Sequence, residues 1–266
     1  MRLTLMGTQG WIPSADRETT CVAMSDDRVL FLFDAGTGLS RLLEPPCDAM
    51  FRDAAEVHLF LTHYHLDHVC GLAYLPGIFA GRKLTVHAPS QALTGLDPDR
   101  TLAELIRPPY NPRPWAELEG VSVAVVEPGE NRVAGHIVTT RAQNHADTSV
   151  AYRLDDDLVL ATDTVFDLET AAFAQGAEVL LHEAWIDGVE ENDPAKSELV
   201  RSAYASHTSA RQAAYLAAKA AVGELILMHL NPFYDEGYYR QMEMSARAIY
   251  ANVSVYPDLY QRELMG

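Results

Sequence analysis

Three histidines and one aspartate fall within six residues of each other, at His63, His65, Asp67 and His68. They directly follow an apolar run, residues 57–61, whose pattern predicts a buried strand. Left unpaired at the end of a core strand, each of these polar side chains would cost several kcal/mol of desolvation free energy. A metal ion removes that cost, because neutral imidazoles and ionised carboxylates are metal ligands. The cluster therefore predicts half of a two-metal site.

Three further ligand candidates also follow predicted apolar strands: His145, Asp163 and His229. A carboxylate such as Asp163 can bridge two cations, and metal-bound water ionises near neutral pH. Ligation that is rich in histidine fits Zn best, with Mn or Fe as alternatives. We therefore predict two divalent ions that share a hydroxide, with the ligands divided as follows: His63, His65 and His145 on one metal, Asp67, His68 and His229 on the other, and Asp163 between them.

The elements that must position these residues follow from the apolar pattern. Strands precede a strand–helix alternation in each half of the chain, which favours two sheets packed face to face with helices outside. We expect an α/β (α+β) fold, a four-layer αββα sandwich, as a single domain over residues 1–266. Strands are predicted at 3–6, 20–24, 29–33, 57–61, 83–87, 121–126, 137–142, 149–154, 158–161, 179–181, 224–230 and 253–256, and helices at 72–80, 209–222 and 236–250.

Composition narrows the class of function. The formal charge of −17 would repel a polyanion, which disfavours a long RNA or DNA substrate. No stretch approaches the roughly 20 apolar residues of a membrane span, and the N-terminus is typical of a first strand rather than a signal peptide. Three cysteines without paired spacing favour a reducing compartment, so we expect a cytoplasmic protein. For Cys70, near the cluster, a buried inert thiol is favoured over a ligand role.

The cluster, with the later ligands in order, resembles the signature of metallo-β-lactamase-fold hydrolases over nearly the full chain. Two further segments resemble the ribonuclease Z-like phosphodiesterases within that superfamily: residues 181–184 (LHEA) and 206–214 (SHTSARQAA). The resemblance implies that Asp67 orients or deprotonates the attacking water. It also implies that His207, supported by Glu183, stabilises the phosphate or protonates the leaving oxygen. A histidine bonded to a carboxylate suits a general acid.

One departure from this family bears on the substrate. Members that process tRNA carry a long Gly/Lys-rich arm, and the sequence has no such segment. We therefore expect a phosphodiesterase that acts on a small or accessible phosphodiester. The alternatives are a tRNA 3′ processing endoribonuclease, a lactone or thioester hydrolase, and a non-catalytic metal-binding module. The family's habit of dimerising implies a homodimer.

Overall fold

The computed structural model describes residues 1–26 and 28–265, and the chain divides into two compact units. Unit 1 comprises Met1–Thr8, Ile12–Pro128 and Pro257–Glu263. Unit 2 comprises Gln9–Trp11, Gly129–Tyr256 and the residues from Leu264 onward. Each unit is therefore built from three segments that are not contiguous in the sequence. The expectation of a single domain over residues 1–266 stays a prediction.

Unit 1 contains one mixed seven-stranded sheet in the order β14-β1-β2-β3-β4-β5-β6. The pairs from β14 to β3 are antiparallel, whereas β3, β4, β5 and β6 pair in parallel. Its strands are β1 (Arg2–Gly7), β2 (Cys21–Ser25), β3 (Val29–Phe33), β4 (Glu56–Phe60), β5 (Leu84–Pro89), β6 (Val121–Val126) and β14 (Gln261–Glu263).

Helices cover the apolar side chains of this sheet. Leu32 and Leu59 of the sheet share a buried cluster with Phe51 and Leu102 of the helices. The helices of unit 1 are α1 (Cys47–Asp53), α2 (Leu66–Val69), α3 (Leu75–Ile78), α4 (Gln91–Thr94) and α5 (Pro98–Leu105), with 3₁₀ turns at Thr37–Leu43, Cys70–Tyr74 and Trp115–Glu117.

Unit 2 contains a second mixed seven-stranded sheet, in the order β13-β12-β11-β10-β9-β8-β7. The strands from β13 to β10 pair in parallel, and those from β10 to β7 are antiparallel. Its strands are β7 (Gly129–Val133), β8 (His136–Asn144), β9 (Thr148–Leu154), β10 (Leu158–Ala161), β11 (Val179–Glu183), β12 (Glu224–Met228) and β13 (Val253–Ser254).

The longer helices of unit 2 begin at side-chain caps. Ser209 caps α8 in a reciprocal capping box with Gln212, and Asp235 caps α9. Alanines of α8 pack on Leu225 and Leu227 of the sheet. The helices are α6 (Glu169–Phe173), α7 (Ser197–Tyr204), α8 (Ala210–Ala220) and α9 (Glu236–Arg247), with 3₁₀ turns at Val189–Asn192 and Pro194–Lys196.

The structure corrects two local expectations. The single helix predicted over residues 72–80 is a 3₁₀ turn followed by the short α3, because Pro76 and Gly77 disfavour a longer helix. The strands β7 and β14 were not predicted, since both are short, polar and at a sheet edge. The predicted bounds of β3, β6 and β10 are confirmed.

Candidate metal centre

The histidine cluster begins where β4 ends, beside the parallel strands of unit 1. The ends of parallel strands form the usual ligand-binding edge of a sheet. His63 and His68 are buried, whereas His65 and Asp67 are partly exposed. The ligating atoms of His63 and His65 lie within 4.8 Å of each other. Nε2 of His68 lies 3.4 Å from Oδ2 of Asp67.

The backbone at Asp67 and His68 is helical, although no helix was predicted there. Both residues lie in the helical turn α2, at successive positions. His63 and His65 precede that turn in irregular backbone. The helical turn thus separates the backbone of Asp67 and His68 from that of His63 and His65, as a division of the four ligands between two metals would need.

Asp34 anchors His68 directly and His63 through Thr62. It was not predicted as a site residue. Its Oδ2 accepts from Nδ1 of His68 at 2.7 Å and from Oγ1 of Thr62 at 2.9 Å. Thr62 Oγ1 in turn lies 3.0 Å from Nδ1 of His63. These bonds set the tautomer of each ring and leave Nε2 to face a ligand. Asp34 is fully buried with φ of 62°, a conformation that short polar residues tolerate.

Unit 2 brings its three predicted ligands together at the ends of strands. Oδ1 of Asp163 lies 3.4 Å from Nε2 of His145, and its Oδ2 lies 3.2 Å from Nε2 of His229. Nδ1 of His145 donates to the carbonyl of Ser206 at 2.7 Å. The three side chains are almost fully buried. Asp163 and His229 have φ of 52° and 49°, and such strained backbone clusters at functional sites.

The donor chemistry of both groups fits divalent metal ions. Nδ1 bonds a carboxylate in His68, a backbone carbonyl in His145 and a hydroxyl in His63, so each ring is oriented through Nδ1 as a metal-ligating histidine is. Burial lowers the pKa of His145 below its usual value, so the ring is held in the neutral form that a metal needs. Cys70, predicted to be a buried inert thiol, is only half-buried. Its partial burial still raises the pKa of the thiol, which favours the unreactive protonated form.

His207 and Glu183 form a second arrangement next to the unit 2 ligands. Nδ1 of His207 donates to Oε2 of Glu183 at 2.8 Å, and Glu183 is fully buried at the end of β11. The other oxygen, Oε1, accepts from the backbone N–H of Thr164. One ligating atom each of Asp163, His207 and His229 lies within 4.8 Å of the others. A rigid histidine–carboxylate pair therefore lies at the metal ligands.

Sequence reasoning missed three supporting residues. Asp34 lies in the FDAG segment at residues 33–36, which could have indicated it. Gly10 packs on the ring of His229, and its signal is a glycine pair around residues 7–10. Trp185 stacks on His207, for which the sequence offers no signal. The assignment of all seven ligands to two metals stays a prediction.

Comparison with known proteins places this geometry in a family. Residues 30–230 match the family described as the β-lactamase superfamily domain. The chain belongs to the β-lactamase superfamily. Membership confirms the predicted class, a metal-dependent hydrolase, and the predicted metallo-β-lactamase α/β sandwich, with two mixed sheets flanked by helices.

Relatives within the superfamily support the ribonuclease Z-like branch. Ribonuclease Z of Prochlorococcus marinus (strain MIT 9303) is 27% identical, covering 99% of this chain and 98% of that protein. The metallo-β-lactamase fold protein YhfI from Bacillus subtilis superposes with a TM-score of 0.76 at 18% identity, covering 98% of each chain. A diphosphatase from the PhnP family superposes with a TM-score of 0.69 at 16% identity, covering 98% and 97%.

In the part of the chain that the structure describes, no helix combines the length and apolar character needed to cross a bilayer.

Proposed function

We propose that this superfamily member is a phosphodiesterase that holds two divalent metal ions, with Zn as the best fit to its ligands. One ion would be held by His63, His65 and His145, the other by Asp67, His68 and His229, with Asp163 shared. When bound, the ions supply Lewis-acid polarisation of the phosphoryl group.

The observation that carries the proposal is the bond between His207 and Glu183. Cleavage of a phosphodiester leaves an oxyanion, and a positioned acid can protonate it. Glu183 stabilises the imidazolium form of His207 by a charge-assisted hydrogen bond. With Nδ1 committed to Glu183, Nε2 is the nitrogen that donates the proton. Asp67, partly exposed beside His68, would accept the proton of the attacking water.

Two properties of the chain support a small substrate over a long nucleic acid. The charge of −17 opposes a polyanion. The match to the Prochlorococcus ribonuclease Z extends over 322 aligned positions, whereas this chain has 266 residues. That relative therefore has segments without counterpart here. We infer that the extended contacts a large RNA needs are reduced in this protein.

We infer that a cavity in unit 2 receives the leaving group of such a substrate. It has a volume of about 470 Å³ and is lined in part by Phe166, Leu168 and Tyr215, with Arg211 on its wall. Ligand pockets of this size accept drug-sized molecules. Phe166 and Leu168 follow the Asp163 loop, and α8, which carries Arg211 and Tyr215, begins just after His207. Its aromatic walls suit an aryl or nucleobase group, and the charge of Arg211 is accompanied there by that of Glu191.

Hydrolysis of bis(p-nitrophenyl) phosphate by protein loaded with Zn or Mn tests the proposal. We expect turnover that a chelator abolishes. On methyl phenyl phosphate, whose leaving oxygen needs a proton, we expect turnover to fall at least 100-fold in His207→Asn. The matched control is His136→Asn, because Nδ1 of His136 also bonds a carboxylate, Asp155, at 2.6 Å but lies at the start of β8. A folded, metal-loaded protein without activity would refute the proposal, as would equal losses in the two variants.

A tRNA 3′ endoribonuclease is the second candidate, favoured by the full-length similarity to ribonuclease Z. Cleavage of a pre-tRNA at low salt, lost in Asp67→Ala, would establish it. Turnover of a lactone or thioester without phosphodiesterase activity would instead assign the third candidate. Metal binding without any turnover would indicate a non-catalytic module. The homodimer, to be measured by light scattering, and the cytoplasmic location stay predictions.

A further inference from the structure

The indole of Trp185 lies flat against the imidazole of His207. Their ring centroids are 4.2 Å apart and the planes differ by 11°. The other rings near His207 are less parallel and more distant: His145 lies at 5.2 Å and 59°, and His229 at 5.8 Å and 29°. Trp185 therefore makes the closest parallel ring contact of His207 among these three.

Backbone pairing keeps the two rings together. The N–H of Trp185 donates to the carbonyl of Thr208 at 2.9 Å. One residue further on, Ile186 and Ser209 form a parallel bridge. The segment after β11 and the segment before α8 thus run side by side as a short ladder. This register places Trp185 opposite Thr208, one residue from His207, and so keeps the two rings within reach of each other.

The hydrogen bond to Glu183 does not by itself orient His207 completely. It restrains one atom, and small changes in χ1 and χ2 can still tilt the ring while Nδ1 stays near the carboxylate. Such a tilt would swing Nε2, the proton donor, away from the leaving oxygen. The flat indole against one face of the imidazole restricts this motion. A tilted imidazole would either lose its contact with the indole or clash with it.

We propose that Trp185 is a positioning residue that holds the imidazole plane of His207 for protonation of the leaving group. The proposal rests on the phosphodiesterase function and on the acid role of His207. Glu183 fixes the position of Nδ1, and Trp185 fixes the direction of Nε2. Trp185 itself need not touch the substrate.

The test compares two phosphodiesters that differ only in leaving-group acidity, methyl p-nitrophenyl phosphate and methyl phenyl phosphate. Nitrophenolate leaves readily without a proton, whereas the phenyl ester depends on the acid. In Trp185→Leu, which fills space without a flat face, we expect kcat to fall about tenfold on the phenyl ester and less than about twofold on the nitrophenyl ester. Trp185→Phe restores a flat face and should keep both rates within about threefold of wild type.

The outcomes separate the inference from the function it rests on. Selective loss on the phenyl ester, with the same selectivity in His207→Asn and unchanged metal content, supports the positioning role. Equal loss on both esters in Trp185→Leu would overturn it, because a merely structural defect affects both reactions alike. Trp185→Phe behaving like Trp185→Leu would also overturn it. Wild-type protein without activity on either ester would instead overturn the proposed function.

Discussion

Gly10 packs tightly on the ring of His229. One added methyl group should therefore displace this candidate ligand and weaken metal binding. A Cβ atom at Gly10 would lie 2.5 Å from Cε1, 2.7 Å from Nδ1 and 2.8 Å from Nε2 of the His229 ring. The backbone of Gly10 cannot retreat, because its N–H donates to the carbonyl of Leu230 at 3.0 Å. The Gly10→Ala substitution therefore acts on the ring.

The required movement follows from these distances. Carbon atoms in ordinary contact stay about 3.5 Å apart, so the ring must shift by about 1 Å. Trp185 and His207 flank His229, with centroids at 5.7 and 5.8 Å, and leave little room for it. Metal–ligand distances tolerate only about 0.2 Å. A displacement of about 1 Å can cost roughly 100-fold in rate, and overpacking costs about 1–3 kcal/mol of stability.

Metal content and turnover measure the effect. After dialysis, we expect Gly10→Ala to retain about one metal ion per chain fewer than wild type and to lose about 100-fold in kcat/KM. Gly77→Ala is the matched control, since a Cβ there meets nothing within 4 Å. Circular dichroism of both variants checks that they are folded. If Gly10→Ala kept its full metal content and its activity within about threefold, the argument from packing would be wrong.

Three further outcomes are expected. Asp34→Asn sets an amide against Nδ1 of His68, so metal affinity should fall about 10–100-fold in a chelator competition; unchanged affinity would exclude the supporting role. Burial, with a smaller effect of His58, lowers the pKa of His87 from 6.5 to about 3. The unfolded chain then binds the proton more strongly, so the free energy of unfolding falls as pH drops below about 6.5, by roughly 2 kcal/mol at pH 5. Urea titrations at pH 5 and 8 should show a smaller difference in His87→Phe, and an unchanged difference would contradict this. Ser209→Ala removes the cap of α8 and should lower the free energy of unfolding by about 1 kcal/mol, whereas no change would show that the cap is dispensable.

Much of the sheet structure could be predicted because its central strands are continuous apolar runs. The residues of β3, β11 and β12 are buried at every position, as is typical of parallel strands covered on both faces. The edge strands β7 and β14 have no such signal. β14 pairs with β1 from the opposite end of the chain, so no local pattern could indicate it.

The helical geometry after the cluster was harder to predict. The apolar spacing of residues 72–80 indicated one helix, but Pro76 and Gly77 leave only a 3₁₀ turn and α3. Similarly, α2 is a single turn, too short for a period to be recognised. Its four residues nevertheless decide where Asp67 and His68 point.

The amino-acid sequence by itself determined which residue types stand at the ends of the apolar strands, and therefore the candidate ligands and the class of chemistry. A run of apolar residues that ends in histidine or aspartate can be recognised from the local sequence, because burial and desolvation act on each strand separately. The tertiary structure decided what holds those ligands. Asp34 reaches His68 over 34 positions, and Ser206 reaches His145 over 61. Gly10 and Trp185 contact His229 and His207 only because strand register and backbone pairing bring distant segments side by side, and no local pattern encodes that register.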